Sequence, residues 1–238
     1  MYGWRSRLGL IIPSDNTVME SEFNKMLSFS EGFSVHATRV FLEEISVESL
    51  LEMKKGLKRA ARELETAEVN VIIYGCTSGS LIKGSNFDKE IIGEIEEETH
   101  IKATTTTTAV LHALEIFDVK KIAIGTPYPD PINVKVKEFF EETGYEVTNI
   151  IGLNIVPDVD VGKQEPYVAF NLGKNVNTDD ADCVFLSCTD FRTIEILEPL
   201  EDTLGKPVIS SNQASLWETL YLDEQGMSIS GYGCLLQI

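Results

Sequence analysis

Residues 69–81 read VNVIIYGCTSGSL, and residues 182–194 read DCVFLSCTDFRTI. Each begins with a short apolar, β-branched run and continues into a Cys-Thr pair. Near-continuous apolar runs are the mark of strands buried on both faces of a parallel sheet. The same pattern twice, about half a chain apart, points to a duplicated unit. The match extends outward: RLGLIIPSDN at 7–16 resembles KIAIGTPYPD at 121–130. Downstream of each Cys-Thr pair comes a helix and then a hydroxyl-rich stretch, KATTTTTAVL at 102–111 and KPVISSNQASLW at 206–217. A repeat of this kind fixes the architecture before finer features are weighed.

The rest of the chain fits an α/β fold with parallel sheets. Strands are expected at 8–13, 34–40, 71–75, 121–125, 145–151, 183–187 and 207–210. Helical spacing of apolar residues covers 46–67, 87–99, 107–117, 131–143, 193–204 and 212–220. The run Thr104 to Thr108 reads as a strand end plus a helix cap, where the chain crosses between halves. The repeat divides the chain into residues 1–103 plus 211–238 as an N-terminal lobe and 104–210 as a C-terminal lobe. Ligands of open α/β sheets bind beyond the carboxyl ends of strands. Both Cys76 and Cys188 lie there, so the duplication predicts a cleft with one cysteine on each wall.

Composition narrows the function classes. A net charge of −18 argues against nucleic-acid and anionic-membrane partners. It leaves room for a small anionic substrate, which local backbone donors can hold. The apolar runs are far shorter than the roughly 20 residues a membrane span needs, and the N-terminus lacks a signal-peptide pattern. The expected location is cytoplasmic. The four cysteines, Cys76, Cys183, Cys188 and Cys234, form no CxxC, and His36, His100 and His112 show no metal-ligand spacing. No metal is expected. The chain has no GxGxxG or Walker-type loop and no nucleophile elbow, so no nucleotide cofactor is expected.

The two Cys-Thr pairs carry the chemistry. A helix N-terminus after each strand would supply N–H donors that favour thiolate. Thr77, Ser78 and Thr189 add hydroxyls that can anchor a carboxylate. Opposed thiol and thiolate could invert a stereocentre, one removing a proton and the other delivering one. Alternatively, a thiolate could add to an activated double bond and leave after rotation, with the second thiol handling the proton. Cys183, on the opposite face of its strand from Cys188, and Cys234, in a Gly-rich tail, read as structural. His36 reads as a core residue.

IIPSDNTVME, YGCTSGS, SCTDFRT and KPVISSNQASLW, in that order, resemble the Asp/Glu racemase superfamily. The branch is that of maleate cis-trans isomerases and arylmalonate decarboxylases, closest to the ectoine-utilisation subgroup. The resemblance implies two Rossmann-like lobes with four-stranded parallel sheets, related by a pseudo-two-fold axis. It implies a cofactor-independent isomerase or racemase acting on a small carboxylate, with Cys76 and Cys188 catalytic. It further implies substrate contacts from Asn16 and Tyr128. Pro13 and Ser14 of the opening motif, Thr77, Ser78, Thr189 and Asn212 join them as candidates. Homodimers or higher homo-oligomers are common in this superfamily.

Two departures matter. Arylmalonate decarboxylases have a glycine where this chain has Cys76. Maleate isomerases have an Asn before a Val-Gly pair, near which this chain has Asp158, a carboxylate that would repel a second substrate carboxylate. A lyase on the same scaffold, a non-catalytic small-acid binding protein and a cysteine hydrolase are the other readings. The last lacks a histidine in a supporting motif.

Overall fold

The structure is a computed structural model, and it describes residues 2–42, 44–157 and 159–238. The first half runs β1 (Ser6–Pro13), α1 (Met19–Met26), β2 (Phe33–Val40), α2 (Val47–Met53), α3 (Leu57–Thr66), β3 (Val71–Tyr74), α4 (Thr77–Leu81), α5 (Phe87–Thr99), β4 (Lys102–Thr105) and α6 (Thr106–Ile116). The second runs β5 (Lys121–Thr126), α7 (Asp130–Glu142), β6 (Glu146–Gly152), α8 (Val159–Gly162), α9 (Pro166–Val176), β7 (Cys183–Leu186), α10 (Leu197–Leu204), β8 (Val208–Ser210) and α11 (Ser211–Leu222).

The strands form two four-stranded parallel sheets, ordered β2-β1-β3-β4 and β6-β5-β7-β8. Each sheet therefore orders its own strands second, first, third, fourth, and the α/β reading and the duplication are borne out. Apolar continuity in the central strands has its cause in two-sided burial. Ile72 and Tyr74 of β3 face one core cluster, while Val71 and Ile73 face another with Leu8, Leu10, Phe23 and Leu216. The edge strands β2 and β6 are only half-buried.

Three expectations change. The helix expected over 46–67 is two helices joined by a 3-10 turn, Lys54–Gly56. At that turn Gly56 passes close to Val40, where a Cβ would lie 3.1 Å from Val40 Cγ1. The helix expected from 193 begins at Leu197, after a turn whose Thr193 and Ile194 N–H groups donate to the Glu22 carboxylate. Consequently Cys188 precedes a turn and not a helix. The helices α1, α8 and α9 lie outside the helical spans expected from the sequence.

No helix among the described residues is long and apolar enough to cross a membrane.

Candidate active site

Each third strand, β3 and β7, ends two residues before a cysteine, and the two sites are built differently. Cys76 is the N-cap of α4, and its Sγ accepts the Gly79 N–H at 3.3 Å. Ser78 Oγ lies 3.8 Å from the same sulfur. Gly75 is glycine for a steric reason: a Cβ there would collide with Met19 Sδ, so α1 could not seat against the Cys76 turn. Cys188 has φ of +105°, a region that side chains other than glycine's seldom occupy. It is held there by its N–H, which donates to Ser211 Oγ at 3.0 Å, while Asp190 N–H donates to Cys188 Sγ at 3.4 Å. Both thiols are buried, with 5% and 6% of their surface exposed.

The two halves of the chain meet at these two turns. Thr189 Oγ1 donates to the Gly75 carbonyl at 3.0 Å, joining the residue after Cys188 to the residue before Cys76. Asn16 Nδ2 donates to the same Thr189 oxygen at 3.0 Å. Asn16 Oδ1 accepts the N–H groups of Val18 and Met19, so the residue also caps the start of α1. Thr77 Oγ1 and Ser211 Oγ are 2.9 Å apart, which links the Cys76 helix to the Cys188 N–H. Tyr128, after β5, hydrogen-bonds Cys188 and lies within electrostatic reach of both thiols. Burial, then the nearby Cys188, push its phenol pKa well above 10, so it stays a donor at neutral pH.

Asn16, Cys76, Thr77, Ser78, Tyr128, Cys188 and Thr189 are thus brought together. Three other candidates are engaged elsewhere. Ser14 Oγ exchanges hydrogen bonds with Leu42 backbone at 3.3 and 3.1 Å, and its residue is exposed. Pro13 ends β1, and its carbonyl accepts from Asn16 N–H. Asn212 is fully buried behind the Cys188 turn, donating to the Thr189 carbonyl at 3.0 Å and to Glu22 at 2.7 Å. Asp158 lies outside the described residues. Directly before Val161 and Gly162 stands Asp160, whose carboxylate pairs with Lys163 at 2.6 Å. Cys183 Sγ donates to the Val184 carbonyl, and burial raises its thiol pKa. Cys234 Sγ donates to Glu201 Oε1 at 3.0 Å, and burial followed by that carboxylate pushes its thiol up to about 12. His36 Nε2 faces Ser34 Oγ at 2.9 Å, and His112 Nδ1 faces Glu218 at 3.0 Å. Among the described residues, no three His, Cys, Asp or Glu side chains form a metal-ligating cluster.

Two carboxylates clasp the joint reciprocally. Asp190 Oδ1, from the Cys188 turn, accepts Thr17 N–H at 2.6 Å. Glu22 Oε1, from α1, accepts Thr193 N–H at 2.9 Å on the Cys188 side. Burial drives both pKa values up to about 7, against the lowering effect of these hydrogen bonds. Neither carboxylate was a candidate, and nor was Ser211. The only sequence signal for Glu22 is an acid on the face that Met19, Phe23 and Met26 bury.

The arylmalonate decarboxylase family model matches residues 8–236. The chain belongs to that family. It is similar to the maleate isomerase of Geobacillus stearothermophilus, 28% identical over 94% of this chain and 97% of that protein. It is also similar to the maleate isomerase of Alcaligenes faecalis, 30% identical over 90% of this chain and 88% of that one. The crystal structure of a cysteine-to-alanine variant of the Pseudomonas putida S16 maleate isomerase, with maleate, superposes with a TM-score of 0.94. That match is 25% identical and covers 98% of this chain and 97% of the other. The resemblance to the branch of maleate isomerases and arylmalonate decarboxylases is borne out. Within the family this chain is an isomerase, with the arylmalonate decarboxylases as its other close relatives.

Proposed function

We propose that the chain catalyses cis-trans isomerisation of a small unsaturated dicarboxylate of the maleate kind, with Cys76 and Cys188 as the reacting groups. The bond from Thr189 Oγ1 to the Gly75 carbonyl carries this reading, because it ties the two cysteine turns to one point. Cys76, as thiolate, adds to one carbon of the double bond, and the Cys188 thiol gives its proton to the other. The carbon–carbon bond, now single, rotates. Cys188 thiolate then takes a proton back from that carbon, the carbon–sulfur bond breaks and the trans double bond forms. Atoms and charge return to their starting state, so the cycle needs no cofactor. The second Asn16 amide hydrogen, Thr77 and Ser78 supply donors for the two carboxylates, whose charge would otherwise be costly in a buried cleft, and Tyr128 joins them as its bond to Cys188 gives way to substrate.

The further expectations belong to the same proposal: lobes of residues 1–103 plus 211–238 and of 104–210, a cytoplasmic location, and a homodimer or higher homo-oligomer. The test is proton NMR of the purified chain in D₂O with maleate, both enantiomers of aspartate and glutamate, and a phenylmalonate. Fumarate should appear from maleate and vanish in Cys76→Ala and in Cys188→Ala. Deuterium at an amino-acid α-carbon instead would make the chain a racemase. The family model favours decarboxylation as the second reading, which requires activity on phenylmalonate that survives loss of Cys76.

A further inference from the structure

Tyr74 is the last residue of β3, two before Cys76 and on the same face of the sheet. Its side chain is 0% exposed, and its hydroxyl has no hydrogen-bond partner among the described residues. Leaving a buried hydroxyl unmet is destabilising, because its lost bonds to water are not replaced. Phenylalanine would fill the same space without that cost, so the hydroxyl calls for an explanation.

Its surroundings supply one. A Cβ placed on Gly79 would lie 2.9 Å from Cys76 Sγ and 3.2 Å from Tyr74 Oη. Thiol and phenol therefore border the same gap in the first turn of α4. The Met53 methyl closes the other side at 2.8 Å from that point, leaving little that is polar besides the sulfur.

We propose that Tyr74 is a working part of the Cys76 half of the site, its hydroxyl donating a hydrogen bond to the Cys76 sulfur when that sulfur is a thiolate. The inference rests on the reading of Cys76 as the reacting thiolate. A neutral thiol is a weak acceptor, whereas bonds to ionised groups are about twice as strong as neutral ones. The bond is thus made as charge gathers on sulfur and is given up when the sulfur is spent in a carbon–sulfur bond. Gly79 N–H is the fixed donor to this sulfur and Tyr74 the conditional one. Burial, then the neighbouring Cys76, hold the Tyr74 phenol well above 10, so it keeps its proton throughout neutral pH. Tyr128 differs, because its hydroxyl is already engaged with Ser187 and Cys188.

The test is Tyr74→Phe in the full chain. Each cysteine's rate of alkylation by iodoacetamide would be followed between about pH 5 and 9 by peptide mass spectrometry, beside Tm and turnover. Tm should stay level or rise, since an unmet hydroxyl is removed. The Cys76 labelling profile should move up by about one pH unit while that of Cys188 stays in place, and kcat at neutral pH should fall about tenfold. An unmoved Cys76 profile in a folded variant would overturn the inference. So would both profiles moving together with a lower Tm, which would mean general loosening. Labelling needs no substrate, so it decides the role of Tyr74 even if the wild-type chain leaves every carboxylate untouched. An active enzyme indifferent to Tyr74→Phe would remove this inference and leave the two-cysteine reading standing.

Discussion

Asn16 and Thr189, 173 residues apart in the chain, join its two halves, with Asn16 Nδ2 donating to Thr189 Oγ1 at 3.0 Å. The Asn16 oxygen meanwhile accepts the first N–H groups of α1. One amide therefore serves helix capping and the cleft at once, and substitutions can separate the two. Asn16→Asp keeps an acceptor at a helix N-terminus, where negative charge is favourable, but loses the donor. It should unfold in urea within about 1 kcal/mol of the wild type while isomerase turnover drops at least tenfold. Asn16→Ala should lose both, with about 1 kcal/mol of stability gone. Full activity in Asn16→Asp would show that donation to Thr189 is unimportant.

Asp190 ties stability to pH in an unusual direction. Its carboxyl titrates near the ordinary 3.8 in the unfolded chain and is driven up to about 7 by burial in the fold. Between those values the folded state holds a proton that the unfolded state has lost, so this group's contribution to stability falls as pH rises from about 4 to 7. Asp190→Asn keeps an oxygen for Thr17 N–H and does not titrate. The stability difference, variant minus wild type, should climb by on the order of 2–4 kcal/mol across that window and be flat above it. Parallel curves in urea titrations at several pH values would contradict the assignment.

The backbone at Cys188 offers a control for catalysis against folding. At φ +105° an alanine is as strained as the cysteine, and a glycine is not. Cys188→Gly should be more stable than Cys188→Ala by about 1 kcal/mol, with both inactive. Equal melting temperatures would mean that the turn is not strained.

Gly162, at the end of α8, lies against the Asp190–Thr17 bond. A Cβ there would sit 2.9 Å from Asp190 Oδ2 and collide with Thr17 Oγ1. Gly162→Ala should push α8 off the joint, costing about 1–3 kcal/mol and lowering kcat/KM, whereas Gly226→Ala, in open space, should do neither.

The fold was legible because its central strands are apolar throughout, and the duplicate strand-Cys-Thr pattern located both thiols. The misreadings share a cause. Helix α1 is hidden because Glu22 occupies its buried face, and the same carboxylate holds the turn before α10 through the N–H groups of Thr193 and Ile194, a contact no local pattern announces. Asn212 looked like a cleft residue because a polar side chain at a helix start suits a ligand, yet its amide is spent on Glu22 and Thr189. Helix α9 did carry an apolar stripe, with Ala169, Leu172, Gly173 and Val176 buried after a proline at its start, but the small residues weaken the pattern. Hydrogen bonds between residues more than a hundred positions apart leave no periodicity to read.

Duplication produced two cysteines, but the fold does not keep them alike. Cys76 rests as a relaxed helix cap, and Cys188 sits in a left-handed turn against a tyrosine. Mirror-equal thiols would have no preference over which acts first. In the proposed reaction the two carbons of a bound double bond would meet unequal partners, Cys76 at one and Cys188 at the other, which fixes the division of labour. The duplicated halves have thereby given up interchangeability, and exchanging the two Cys-Thr segments between lobes would not restore the same enzyme.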